Sequence, residues 1–112
     1  MYEYKVNKII SVYDGDTLRV DIDLGFHVSL DNVPIRLLGV DTPEIRSKDE
    51  NERNKALFVR NQLRDLLSNK ENIRIRTLRD RKGKYGRWLA ELYVNGMNVN
   101  DWLLRNSYAK PY

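Results

Sequence analysis

The chain has 112 residues, too few for two domains of ordinary size, so residues 1–112 are expected to form one domain; a doubly wound cofactor enzyme or a TIM barrel is excluded. Hydrophobic residues make up 41% of it, adequate for an ordinary core, but with no cysteine and only His27 as histidine it can build no thiolate nucleophile, zinc ribbon, iron–sulfur cluster or multi-histidine metal site. Any metal must be held by oxygen. The net charge is only +4, so the distribution of charge and not its total must point to partners. No apolar run approaches the ~20 residues of a membrane span, and Met1-Tyr2-Glu3-Tyr4-Lys5 lacks a signal peptide's apolar stretch. The chain as given therefore reads as soluble, intracellular and without a membrane partner.

In chain order, Tyr4 to Val12 and Leu18 to Leu24 are rich in β-branched and aromatic residues. The second run alternates strictly, with Leu18, Val20, Ile22 and Leu24 against Arg19, Asp21 and Asp23, which predicts two strands joined at Asp14-Gly15. Val33 to Val40 is nearly continuous in apolar residues apart from Arg36 and Gly39, and predicts a buried strand that carries one charge. Ser47-Lys48-Asp49-Glu50 has the form of a capping box, and Ala56, Val59, Leu63, Leu66 and Leu67 follow at helical spacing to about Ser68-Asn69. Ile73 to Leu78 and Trp88 to Val94 predict a fourth and a fifth strand. Asn98 is placed to cap a short last helix that turns Val99, Trp102, Leu103 and Tyr108 toward the core. Five strands with a helix between the third and fourth point to a Greek-key barrel of the OB type, an α+β fold with two to three helices.

Three segments concentrate chemistry. Asp14-Gly15-Asp16-Thr17 stands where two strands meet. Asp-Gly is an ordinary hairpin turn, since its glycine can supply positive φ, but a second carboxylate at the start of a strand can also ligate a hard cation. Asp41-Thr42-Pro43-Glu44 reads equally as a proline-fixed loop or as a source of two further carboxylates. Asp16 and Asp41 could then bind the ion while Glu44 acts on water. Arg36, on the most apolar strand, is either paired with a buried carboxylate or free to grip a phosphate with its planar fork. From Arg74 to Arg87 the basic residues Arg74, Arg76, Arg79, Arg81, Lys82, Lys84 and Arg87 face only Asp80, a net +6 that leaves −2 on the remainder. Such a run is a solvated face or the footprint of a polyanion, and Tyr85 within it offers a surface for stacking. His27 reads as an exposed strand residue, and Trp88 and Trp102 as core.

The order Asp14-Gly15-Asp16-Thr17, then Arg36-Leu37-Leu38-Gly39-Val40-Asp41-Thr42-Pro43-Glu44, then Lys84-Tyr85-Gly86-Arg87 with Leu89-Ala90, resembles the staphylococcal nuclease (thermonuclease) family over about Tyr4 to Ala109. The resemblance implies a five-stranded OB barrel and calcium-dependent hydrolysis of DNA and RNA phosphodiesters, the substrate being single- or double-stranded. It implies that one Ca2+ is held by Asp16, Asp41 and the main-chain carbonyl of Thr42. Glu44 would be the general base, or orient the attacking water, and Arg36 and Arg87 would contact the phosphate. Lys84 and Tyr85 match positions near the adjoining 5′-phosphate, and Tyr112 is matched to a tyrosine that stacks on a base. Two departures stand out: Gly83 replaces the family's usual aspartate before its Lys/Arg-Tyr-Gly-Arg segment, and Ala109-Lys110-Pro111-Tyr112 compresses a longer tyrosine-containing one.

The leading expectation is thus a monomeric metal-dependent nuclease, cytoplasmic or phage-borne, with a secreted mature form left open. Arg79, Arg81 and Lys82 are expected to bind the substrate backbone. Ligand type alone admits magnesium as well as calcium. A non-catalytic OB module that binds nucleic acid or protein is the rival, and a structural subunit of a phage or mobile-element particle is a third class. The rival is disfavoured because a binder needs neither two metal carboxylates nor a base.

Overall fold

Alternation of apolar and polar residues builds the first half of the molecule. The computed structural model describes residues 2–82 and 86–112, with side chains described throughout except at 78–82. β1 (Tyr2–Asp14), β2 (Thr17–Asp23) and β3 (Ser29–Leu37) form an antiparallel meander. Leu18, Val20 and Ile22 of β2 point inward, and β2 stops one residue short of the predicted Leu24 because the Asp23 carboxylate accepts the Gly25 N–H at 2.7 Å and turns the chain. The predicted strand Val33–Val40 is in fact broken: after β3 the chain turns at Leu38-Gly39, where Gly39 adopts φ +78°, before the two-residue β4 (Val40–Asp41).

α1 (Glu50–Leu67) presents Ala56, Val59, Leu63 and Leu67 to the core. Its N-cap is Asp49, whose side chain accepts the Asn51 N–H, and not Ser47 as the capping-box spacing predicts. Ser47 acts one step earlier, where its hydroxyl accepts the Asp49 N–H at 3.2 Å. β5 (Ile73–Lys82) returns beside β1, with Lys5 opposite Arg74, and β6 (Trp88–Val94) pairs with β5. A parallel pairing of β6 with β3, in which Arg36 faces Leu89 and Leu37 faces Ala90, then closes the five-stranded barrel.

β7 (Met97–Asn98) extends the sheet, and α2 (Val99–Arg105) starts at the predicted cap, Asn98, whose side chain accepts the Asp101 N–H at 3.1 Å. β8 (Lys110–Pro111), which the sequence does not betray, pairs with β4. The fold is therefore the expected OB-type α+β barrel, with two helices among the described residues. Leu18, Ile35, Leu37, Ile75 and Leu92 from the strands meet Val59 and Leu63 of α1 and Leu103 of α2 in one core. Trp88 and Trp102 pack against that core as predicted, whereas His27 lies in the β2–β3 turn with φ +60° and not on a strand.

Candidate active site

The polar cluster forms at the end of the barrel where the β1–β2 turn, the end of β3 and the loop after β4 converge. Asp14, Gly15 and Asp16 are all buried there. Gly15 is not in the positive-φ region that an Asp-Gly turn leads one to expect; it is required because a Cβ would stand 2.7 Å from both Thr42 Cγ2 and Val59 Cγ1. The turn is thus pressed under α1 and the loop carrying Thr42. Backbone bonds hold it in register with β3, since Leu37 N–H donates to the Asp16 carbonyl at 2.8 Å.

Asp16 is the hub. Its Oδ2 accepts the Thr42 N–H at 2.9 Å and lies 3.4 Å from Arg36 Nη2, while its Oδ1 accepts the Thr17 hydroxyl at 3.0 Å. Arg87 Nη1 donates to that same hydroxyl at 3.0 Å. Both candidate phosphate-binding arginines therefore converge on one carboxylate, Arg36 directly and Arg87 through Thr17. Of the two readings of Arg36, the ion pair with a buried carboxylate is the one realised in this structure, with side-chain exposures of 14% and 8% for the pair. Arg36 Nη1 also donates to the Leu37 carbonyl at 2.7 Å, and the Tyr112 ring lies 5.3 Å from the guanidinium carbon. Pairing of β4 with β8 and a bond from Tyr112 N–H to the Gly39 carbonyl carry that tyrosine to the site.

Asp41 and Thr42 line one cleft, of about 530 Å³, together with Glu44. Glu44 also lines a second, of about 660 Å³, with Asp14, Thr17, Arg46 and Arg87. Glu44 is exposed and stands between the candidate metal ligands and Arg87. The structure thus brings Asp16, Arg36, Asp41, Thr42, Glu44, Arg87 and Tyr112 to one end of the barrel. Lys84 and Tyr85 lie outside the described residues, as do the side chains of Arg79, Arg81 and Lys82. Arg74 and Arg76, by contrast, lie on the barrel wall against Glu3, at 3.1 Å and 4.0 Å, so part of the basic run is spent on structure.

The donor set fits a hard cation. Thr42 Oγ1 is buried without a hydrogen-bond partner, a neutral oxygen on the residue whose backbone N–H the Asp16 carboxylate accepts. Among the described residues no group of three or more His, Cys, Asp or Glu is assembled, so any ion would draw on main-chain or hydroxyl oxygens besides its carboxylates.

Residue-type reasoning undervalues two groups here. Thr17 couples Arg87 to Asp16, and Asp14, whose Oδ1 accepts the Asp16 N–H at 3.2 Å, has its carboxyl pushed up to about 7 by burial and then by the hydrogen bond and charge of Asp16. Their membership of the Asp-Gly-Asp-Thr tetrapeptide is the one signal that could have found them. Tyr13 and Arg46, stacked at 5.9 Å, line the same cleft and carry no sequence signal.

Comparison with known proteins bears on the family of the chain. The family profile described as "Staphylococcal nuclease homologue" matches residues 34–112. An uncharacterized protein, MJ1439, of Methanocaldococcus jannaschii is 31% identical over 99% of this chain and 61% of its own length. Endonuclease YhcR of Bacillus subtilis is 30% identical over 99% of the chain, and the SPbeta prophage-derived endonuclease YokF of the same organism 34% over 87%. The chain spans only 9% and 31% of the lengths of those two. With the barrel, the polar cluster at its end and a profile match over more than half of its residues, this chain belongs to the staphylococcal nuclease homologue family.

Proposed function

We propose that this chain is a calcium-dependent phosphodiesterase acting on DNA or RNA, with the cleft between Glu44 and Arg87 as the place where the scissile phosphate sits. The observation that carries the reading is the position of Glu44, shared by the cleft of Asp41 and Thr42 and the cleft of Thr17 and Arg87. Phosphodiester hydrolysis needs a proton acceptor for the attacking water, neutralisation of the charge growing on the phosphoryl oxygens, and stabilisation of the leaving oxygen. Glu44, exposed to the cleft, accepts the water's proton as the new P–O bond forms. Arg87, and Arg36 with its guanidinium shared between Asp16 and the substrate, would bind the phosphoryl oxygens, and Arg87 would stabilise the oxygen that leaves as the old P–O bond breaks. Asp16, Asp41 and the Thr42 carbonyl would hold calcium, which when bound supplies positive charge opposite the phosphate.

The remaining groups would bind the rest of the substrate strand. Tyr112, 87% exposed and stacked by one face over Arg36, leaves its other face for a base. Arg79, Arg81, Lys82, Lys84 and Tyr85 extend binding along the strand, where many phosphates are attracted at once while one reacts.

The test is digestion of single-stranded DNA with calcium and with chelator, in the parent and in Glu44→Gln, alongside calcium calorimetry of Asp16→Ala and Asp41→Ala. Glu44→Gln should lose ~10²-fold or more in kcat with calcium affinity retained. The aspartate variants should lose ~10-fold or more in calcium affinity, since each removes one of few charged ligands. Unchanged kcat in Glu44→Gln would remove that residue from its role. Oligonucleotide binding with no hydrolysis under any condition would make the protein a binding module of the same fold.

A further inference from the structure

A groove of about 760 Å³ runs along β1, lined by residues 5–12 on one side and by Arg64, Leu67 and the 68–71 turn on the other. It exists because β5 pairs with β1 only from Tyr2 to Lys5, so that the strand's remaining length has β2 on one side and the C-terminal half of α1 on the other. At about 3.3 Å per residue, the seven steps from Lys5 to Val12 make it about 23 Å long.

Its charge is one-sided. Lys5 and Lys8 come from the strand, Arg64 and Lys70 from the helix and the turn, and Glu71 is the one acid that lines it among the described residues. None of the ion pairs among the described residues uses any of these four cations. Asp23 and Asp21 of β2 stand opposite Lys5 and Lys8, but neither forms an ion pair with them, and their carboxylates accept the backbone N–H groups of Gly25 and Asn32 at 2.7 Å and 2.8 Å. Ser11, Ser68 and Asn69 add neutral donors, and among the described residues no aromatic ring lines the groove to give a base a stacking surface.

The groove also leads to the site. Arg64 Nη2 donates to the Val12 carbonyl at 3.0 Å, two residues before Asp14, and Val59 of the same helix presses on Gly15. The two walls that make the groove are therefore the two elements that hold the Asp14–Thr17 turn.

We propose that this groove is an exosite for the sugar–phosphate backbone of the substrate strand, beyond the nucleotides held at the cleft. The proposal rests on the nuclease reading above for the identity of the strand. Cations on both walls, hydroxyl and amide donors between them and no stacking surface describe a binder of phosphates that is indifferent to sequence. Substrates that reach the groove gain affinity from it, and shorter ones do not.

The experiment measures binding of oligothymidylates of three and of about 12 nucleotides, within the span one OB fold covers, to the Glu44→Gln protein across a series of salt concentrations. Lys8→Gln/Lys70→Gln, two exposed residues outside every described ion pair, should weaken binding of the long oligonucleotide and flatten its log–log salt slope by about 1.4, or 0.7 for each lost contact. Binding of the trinucleotide should not change, nor should Arg105→Gln, a charge control at the end of α2, alter either. An unmoved slope for the long oligonucleotide overturns the proposal, as does an equal loss with the trinucleotide. A polyglutamate peptide whose binding depends on Lys8 and Lys70 when the oligonucleotide's does not would assign the groove to an acidic protein and overturn it too. Failure of the nuclease reading shows separately, as absence of calcium-dependent hydrolysis of either oligonucleotide by the protein that retains Glu44.

Discussion

The two turns of the β1–β2–β3 meander invert each other. The first, Asp14-Gly15-Asp16-Thr17, joins its strands with negative or extended backbone, is buried at its first three residues and carries the polar cluster. The second, around Gly25-Phe26-His27, takes positive φ at three successive residues (79°, 54° and 60°), leaves Phe26 97% exposed and is fixed by its own Asp23 cap. The second turn is shaped by local chemistry and could stand on any hairpin. The first is shaped by what presses on it, namely Thr42, Val59 and the donors that surround the Asp16 carboxylate. The proposed site sits on the turn that the rest of the protein constrains, as expected where a catalytic geometry has to be over-determined by its surroundings.

Exchanging one methyl group tests that contrast most strongly. Gly15→Ala places a Cβ 2.7 Å from Thr42 Cγ2 and Val59 Cγ1, two β-branched side chains with little rotamer freedom. A cost of about 2–3 kcal/mol is expected, together with a fall in turnover as Thr42 moves off Asp16. Gly25→Ala meets nothing within 4 Å and costs only the left-handed backbone, about 1 kcal/mol, with turnover unchanged. Urea unfolding and steady-state rates of both variants measure this, and equal effects on activity would dissolve the distinction.

A second test uses pH. Asp14 is buried beside Asp16, and its carboxyl is raised from 3.8 to about 7, so the folded state binds its proton more tightly than the unfolded chain does. That contribution to stability is fully present below pH 3.8 and is lost as pH rises through 7. In chelator, the parent protein should therefore lose stability over this window, while Asp14→Asn, which carries no titrating proton, should lack that component of the profile. Chemical denaturation at pH 5 and pH 8 reads the difference, and identical pH slopes in the two proteins would place Asp14 in an environment more like water than its burial implies. The smallest effect is at the second turn: Phe26→Ser should change stability by less than about 0.5 kcal/mol and leave turnover alone, since the ring is almost wholly in solvent.

The sequence by itself determined the elements whose cause is local. Alternation placed Leu18, Val20 and Ile22 inside, helical spacing did the same for Ala56, Val59 and Leu63, and Asn98 announced the cap of α2. The residue types at the site were legible in the same way, because a chain without thiols and with one histidine has only oxygen ligands and carboxylate bases to offer. Only the tertiary structure decided how they combine. That Gly15 answers to a close approach and not to φ, that Arg36 meets Asp16 directly and Arg87 through Thr17, and that β8 brings Tyr112 over Arg36 all depend on residues from 20 to 76 positions apart in the chain. Local pattern has a reach of a few residues, whereas closing the barrel through the parallel β3–β6 pair sets Arg87, just before β6, within hydrogen-bond range of Thr17.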